Sequence, residues 1–224
     1  MNLTTFPDGT TVATIEGDTH IGAWVIESQR LDHDQNMLPL LKMYIPEGGV
    51  VVDVGAYIGD HTVFYAQCVG AKGAVMALEP NVEAFECLKY NTKHLPNVYA
   101  FNVAASDSPG HIGLAKDNNA GATHATEGHD IQCDAIDSMG LSSCHFIKFD
   151  CEGMEPQAIY GALQTIKKHR PTMLIEVNQM ALQRQGTNAG AIFAILDSIG
   201  YRYRNIYLTQ QMEGPQYDIL CEPS

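Results

Sequence analysis

The chain has 224 residues, 45% hydrophobic and 17% charged, with 20 Gly and 10 Pro, which suits one α/β domain with a short N-terminal extension and excludes collagen-like and disordered classes. Thirteen Lys and Arg stand against 26 Asp and Glu, a formal net charge of −13, and so acidic a surface repels polyanions, making DNA, RNA and anionic membranes poor partners. No run of about 18 apolar residues is present to span a bilayer, the start MNLTTFPDG lacks signal-peptide character, and the six Cys lack metal-like spacing and read as free thiols; the expectation is a cytoplasmic protein with no metal site.

In chain order, Pro7-Asp8-Gly9 reads as a turn, with Thr10 to Ile15 and Trp24 to Ser28 as short strands. Met37, Leu38, Leu41, Tyr44 and Ile45 follow at helical spacing, so residues 1–48 are expected to be an appendage of short strands and a helix, and 49–224 the main domain. Short β-branched runs then alternate with amphipathic stretches: Val50 to Val54, His61 to Val69, Ala74 to Leu78, Val82 to Asn91, Val98 to Asn102. That is βαβαβ. Asn81 suits a helix cap. Residues 107 to 132 are polar, rich in Gly, Asn, Thr and His, and read as a functional loop or lid. Phe146 to Phe149 and Met173 to Val177 are buried-strand candidates. Pro156 opens a helix carrying Ile159, Leu163 and Ile166 that ends at Arg170-Pro171, and Asn188 caps another that runs to Ile199 and stops at Gly200. Tyr201 to Leu208 and Gln216 to Cys221, around Glu213-Gly214-Pro215, read as an antiparallel pair closing one sheet edge.

The densest chemical signal is Val-Val-Asp53-Val-Gly55-Ala56-Tyr57-Ile-Gly59-Asp-His61-Thr, where a strand turns into a helix. Glycines there admit a ligand close to the backbone, and the helix N-terminus faces the same crevice. Leu78-Glu79-Pro80 ends the next strand, where a carboxylate can accept hydrogen bonds from both ribose hydroxyls. Together they point to a bound nucleoside. A dinucleotide enzyme uses Gly-x-Gly-x-x-Gly, whereas this run is Gly55-x-x-x-Gly59, which favours a ligand with no pyrophosphate.

These residues resemble the class I S-adenosylmethionine-dependent methyltransferases and, more narrowly, the FkbM family. The resemblance runs from about Val50 to Val177 through Asp53-Val-Gly-Ala-x-x-Gly59, Glu79-Pro80 followed by Asn91, Ala105-Ser106-Asp107 with Gly110, Ile147-Lys148-x-Asp150-x-Glu152-Gly153 with Glu155, and Arg170-Pro171 before Ile175-Glu176-Val177. Tyr57 stands where the family typically has Asn. The resemblance implies a Rossmann-like, seven-stranded, mostly parallel sheet with helices on both faces, and methyl transfer from S-adenosylmethionine to a hydroxyl of a sugar or small natural product. By position, the loop from Asp53 through Gly55, Ala56 and Tyr57 to Gly59 holds the methionine part of the cofactor, and His61, which follows the loop, faces the cofactor. Glu79-Pro80 holds the ribose, Asn102-Val103 flank the adenine, and Asp150 orients acceptor and methyl group. Glu152 and Glu176 are candidate bases, and His124 a base delivered by the long loop.

Each residue also has a plainer reading. Asp53 suits a turn cap, Glu79 a helix N-terminal charge, Asp150, Glu152 and Glu155 a solvated helix start, and Glu176 a partner for a buried Lys or Arg; His61, His124 and His129 suit ordinary polar positions. A nicotinamide-dependent oxidoreductase and a non-catalytic cofactor-binding subunit of the same fold are the competing functions. The first lacks its third glycine and a Tyr-x-x-x-Lys pair; the second is expected to lose the crevice acids that this chain keeps.

Overall fold

The computed structural model describes residues 1–32, 36–115, 123–207 and 214–224. Its centre is a seven-stranded sheet built from β3 (Val50–Val54), β4 (Ala74–Leu78), β5 (Val98–Phe101), β9 (Phe146–Phe149), β10 (Thr172–Asn178), β11 (Tyr201–Asn205) and β12 (Gln216–Pro223). The order across the sheet is β11-β12-β10-β9-β3-β4-β5. Every pairing from β10 to β5 is parallel, and β12 alone runs antiparallel, between β10 and β11. The central strands are covered on both faces, which is why Val50–Val54 reads as an almost unbroken apolar run; Val51, Val52 and Val54 are at most 1% exposed.

The helices follow their sequence signals. In α4 (Val82–Thr92) the Asn81 side chain accepts from the Glu83 N–H at 3.0 Å, and in α8 (Ala189–Ser198) Asn188 does the same for Gly190 at 2.9 Å. Both α8 and the chain beyond it turn at Gly200, whose φ of 67° favours glycine. Between β3 and β4 lies α3 (Asp60–Val69), and α7 (Gln179–Arg184), which sequence periodicity did not reveal, follows β10 directly.

Four local expectations are corrected. Trp24 to Ser28 is not a strand but the end of α1 (Ile21–Ser28); Asp18 takes the N–H groups of His20 and Gly22 at 2.9 and 2.6 Å, and Val25 is buried four residues from the half-buried Ile21. The helix expected from Pro156 through Ile166 is two, α5 (Glu155–Tyr160) and α6 (Leu163–His169). It breaks because the Gly161 carbonyl accepts the Asp137 N–H at 2.8 Å, and its backbone lies so near the Ser106 carbonyl that a Cβ would sit 1.9 Å from that oxygen. Of residues 107 to 132, expected as a loop, 116–122 lie outside the described residues, and the rest hold most of an antiparallel pair, β7 (Gly110–Ala115) and β8 (His124–Asp134), joined at β8 by the short β6 (Ala104–Ala105). Finally, the closing pair of strands ends earlier than expected, β11 stopping at Asn205; Leu208 and Glu213 of the expected strand and turn lie outside the described residues.

The first 48 residues are bound to the sheet rather than set apart. The hairpin of β1 (Asn2–Thr5) and β2 (Thr11–Thr14) is bracketed by Asn91 of α4, whose Oδ1 accepts from Ala13 N at 2.7 Å while its Nδ2 donates to the carbonyls of Ala13 and Ile58 at 2.9 and 2.8 Å. One amide thus ties the N-terminus to the glycine loop. Short α2 (Leu38–Leu41) buries Leu38 and Leu41 against the same cluster as Tyr65 and Phe146. Among the described residues no helix is long and apolar enough to cross a membrane, and all six cysteines are free thiols.

Candidate active site

The chain crosses from β3 through α3 to β4 on one side, while β9 pairs on the other, so the strand order reverses at β3. A crevice opens at such a reversal, beyond the C-terminal strand ends. Here it is a cleft with about 1050 Å³ of empty space, part of it open to solvent.

One wall is the glycine loop. Gly55 and Ala56 donate to the Leu78 carbonyl at 3.0 Å, folding the loop over the end of β4. Glu79, 6% exposed, accepts from Tyr57 N on Oε2 and from Asn81 N on Oε1, both at 2.8 Å. Burial pushes its carboxyl up to about 7, against those two hydrogen bonds and Lys148. Tyr57 has φ 49°, a left-handed conformation in which Asn is the favoured non-glycine residue and an aromatic is strained. Its hydroxyl donates to Asp18 at 2.7 Å. The N-terminal segment therefore supplies the anchor that holds a tyrosine in this strained conformation.

The glycines serve packing as well as access. A Cβ on Gly55 would meet the Asp150 carbonyl oxygen at 1.7 Å, and one on Gly59 would meet Leu88 Cδ1 at 2.9 Å. The close approach at Gly55 is made by the neighbouring strand end, so packing within the sheet calls for this glycine as well as access for a ligand.

The far end of the cleft gathers Asp150, Cys151, Glu152, Glu176 and Gln216. Asp150 receives Lys148 Nζ at 2.9 Å, and Lys148 in turn sits in register beside Asp53 of β3. Desolvation opposes the Lys148 charge, but Asp150 and Asp53 outweigh it and hold the ammonium well above its ordinary pKa. Glu152 has φ 53° and Gly153 φ 97°, a tight turn held by Glu155, whose Oε1 accepts from Cys151 N and Gly153 N at 2.9 and 3.2 Å. Glu155 is thus a brace rather than a solvated helix charge. Among the described residues Glu176 meets no Lys or Arg: Oε1 accepts from Gln216 Nε2, and Oε2 is shielded with no partner. Burial first, then Asp150, Glu152 and Asp218, holds its carboxyl well above the usual carboxylate range.

Of the residues expected at the site, Gly55, Tyr57, Glu79, Pro80, Asp150, Glu152 and Glu176 line the one cleft. Asp53 does not. It is wholly buried behind the loop, accepting from Thr62 at 2.6 Å, its other oxygen unpartnered. Ala56, Gly59 and His61 are likewise behind it; His61 is buried edge-on to Tyr65, with 5.9 Å between ring centroids. Asn102 and Val103 border an adjoining cavity that shares Leu78 with the cleft, and Asn102 Nδ2 donates to the carbonyls of Glu79 and Pro80 at 2.9 and 3.0 Å. His124 is absent from the lining while its neighbours Thr123 and Ala125 are present, as strand alternation requires; His129 is exposed. The motif reading missed the roof of Ile112, Leu114 and Ala125, together with Ile21 of α1. The signal was available in Ile112-Gly-Leu114, an alternating trio hidden in a polar stretch. Among the described residues, no group of three or more His, Cys, Asp or Glu is arranged to hold a metal ion.

Solved structures share this architecture at low identity. A methyltransferase FkbM from Methylobacillus flagellatus KT is 18% identical, with a TM-score of 0.53 over 79% of this chain; the match spans 44% of that longer chain. A putative rRNA-methylase from Clostridium thermocellum (13% identity, TM-score 0.57) is covered over 84% of this chain and 94% of its own. A putative methyltransferase from Streptococcus mutans, solved in complex with SAH, is 11% identical with TM-score 0.54, covering 83% and 94%. No curated protein matches the chain. Residues 53–203 match the family model described as the methyltransferase FkbM domain, from the buried Asp53 to Tyr203 of β11; the chain belongs to the FkbM methyltransferase family.

Proposed function

We propose that this protein transfers the methyl group of S-adenosylmethionine to a hydroxyl of a sugar or small natural product. The observation that carries this reading is Glu79: a carboxylate fixed by two backbone N–H groups at the end of β4, bordering a cleft at the strand-order reversal. The residues fit the cofactor. Gly55 and Tyr57 would receive its methionine end, Glu79 with Pro80 its ribose, and the stretch of Asn102 and Val103 its adenine, with Asp53, Ala56, Gly59 and His61 supporting from behind. When bound, S-adenosylmethionine supplies an electrophilic methyl group, so the protein's task is alignment and proton removal.

Asp150, held by Lys148, orients acceptor and methyl group without moving. Glu152 and Glu176 flank it as the groups able to take the hydroxyl proton, and His124, half-buried on β8 and absent from the cleft lining, ranks behind them. A small acceptor rather than a nucleic acid is supported by the net charge of −13 and by the cleft carboxylates, which repel a phosphate backbone. The free cysteines support a cytoplasmic location.

The test is single-turnover transfer of a labelled methyl group to a panel of hydroxylated sugars and natural products. Labelled product is expected, with the rate down at least about a hundredfold in whichever of Glu152→Gln or Glu176→Gln removes the base. Transfer to nitrogen or carbon alone, or no uptake of S-adenosylmethionine, would overturn the reading.

A further inference from the structure

Resting on that methyltransferase reading, we infer that Tyr57 is a positioning residue for the cofactor's ribose, held in place by the N-terminal segment through Asp18. Tyr57 is fastened at both ends: its N–H donates to Glu79 Oε2 at 2.8 Å and its hydroxyl to Asp18 Oδ2 at 2.7 Å. All three residues are buried, so water competes little for either bond. The backbone between the two bonds is strained. At φ 49° a tyrosine occupies the left-handed region, where it stays only if its surroundings over-determine it. Rotation about the Tyr57 N–Cα bond to relieve that strain would turn the N–H off Glu79. The bond to Asp18, and the burial of the ring in one cluster with Val12, Ile15 and Val25, oppose that rotation.

Asp18 is itself fixed from the far side. Its Oδ1 accepts from His20 N at 2.9 Å and its Oδ2 from Gly22 N at 2.6 Å, at the start of α1. Gly22 leaves room for this: a Cβ there would lie 2.7 Å from Asp18 Oδ2. The two N–H groups bracket Ile21, which lines the cleft together with Tyr57 and Glu79. One line of contacts therefore runs from the first turn of α1 through Asp18 and Tyr57 to the carboxylate that would hold the ribose. At its end, Asn81 N holds Glu79 Oε1 and Tyr57 N holds Oε2, so both oxygens keep their direction and each retains a lone pair for a ribose hydroxyl. Loosening Tyr57 frees Oε2 while leaving Oε1 on Asn81.

Calorimetry with S-adenosylhomocysteine and with its analogue lacking both ribose hydroxyls tests this. The wild type is expected to bind the full ligand at least about tenfold more tightly than the analogue. Tyr57→Phe keeps the ring and loses the bond to Asp18; it is expected to weaken the full ligand about fivefold and the analogue less than about twofold. Gly22→Ala attacks the same link from α1, displacing Asp18 Oδ2 without altering Tyr57, and alanine suits a helix better than glycine. The same selective loss is expected there. A loss shared equally by the two ligands would make the link a matter of folding or of the methionine end and overturn the proposal, as would unchanged affinity for the full ligand in either variant. Should Tyr57→Phe fail to fold, the two affinities of Gly22→Ala decide. A wild type that binds both ligands equally lacks the ribose contact on which the link acts, and this too would overturn the proposal. No binding of S-adenosylhomocysteine at all would instead overturn the methyltransferase reading beneath it, a separate and recognisable result.

Discussion

The two ends of the cleft handle their polar groups in opposite ways. At the glycine-loop end nearly every polar atom has a partner: Glu79 takes Tyr57 N and Asn81 N, Asn102 takes two carbonyls, and the Tyr57 hydroxyl takes Asp18. At the carboxylate end Glu176 Oε2 and Glu155 Oε2 are shielded and unpartnered. Partnered groups hold a shape, while an unpartnered one carries a cost. The loop end facing the cleft is thus held in a fixed form, and the carboxylate end carries oxygens that the described residues leave unmatched.

Substitutions at the seam between the two ends break this contrast most severely. Gly55→Val is expected to abolish folding, since a Cβ 1.7 Å from the Asp150 carbonyl forces β3 and β9 apart in the middle of the sheet. Loss of the cooperative urea transition is the measurement; a folded, cofactor-binding variant would refute the packing role given to this glycine. Next in size is Lys148→Met. It leaves the wholly buried Asp53 and its neighbour Asp150 without their shared counter-charge, at a cost of about 3–5 kcal/mol in urea denaturation. Adding Asp53→Asn should restore part of the loss, because it removes the charge left stranded.

A third prediction sharpens the loop end through pH. The carboxyls of Glu79 and Asp60 are each pushed up to about 7, chiefly by burial. A group that holds its proton more tightly in the folded state than in the unfolded one stabilises the fold fully below its unfolded value. That contribution is lost as pH rises through the folded value. The ligand-free protein should therefore lose stability between roughly pH 4.5 and 7, and Glu79→Gln should flatten the slope in that window. Urea midpoints across the range, wild type against variant, read this; an unchanged slope would place the titration elsewhere. The smallest effect is expected from Tyr57→Phe. Losing the bond to Asp18 while keeping a ring at φ 49° should cost about 1–2 kcal/mol, and Tyr57→Asn should recover some of it because Asn tolerates that conformation.

The same contrast explains what was legible in the sequence. Strand-helix alternation, the Asn81 and Asn188 caps, and the end-of-strand positions of Gly55, Glu79 and Asp150 are local signals, and each stands in the structure where its pattern put it. The roof was hidden because Ile112 and Leu114 are isolated apolar residues in a long stretch rich in Gly, Asn, Thr and His. That Asp53 stands off the cleft lining is hidden for a different reason. A carboxylate at the end of a strand reads the same whether it faces the crevice or the core, and only the register with Lys148 decides. Asp18 and Tyr57 lie 39 residues apart, and no periodicity connects them.

Titrating the protein with S-adenosylmethionine by calorimetry, wild type beside Glu79→Gln, tests the central claim most directly. The account predicts one-to-one binding to the wild type, weakened at least about tenfold in the variant, as loss of a charge-assisted contact to the ribose requires. Equal affinities in two folded proteins, or no binding to the wild type, would contradict it.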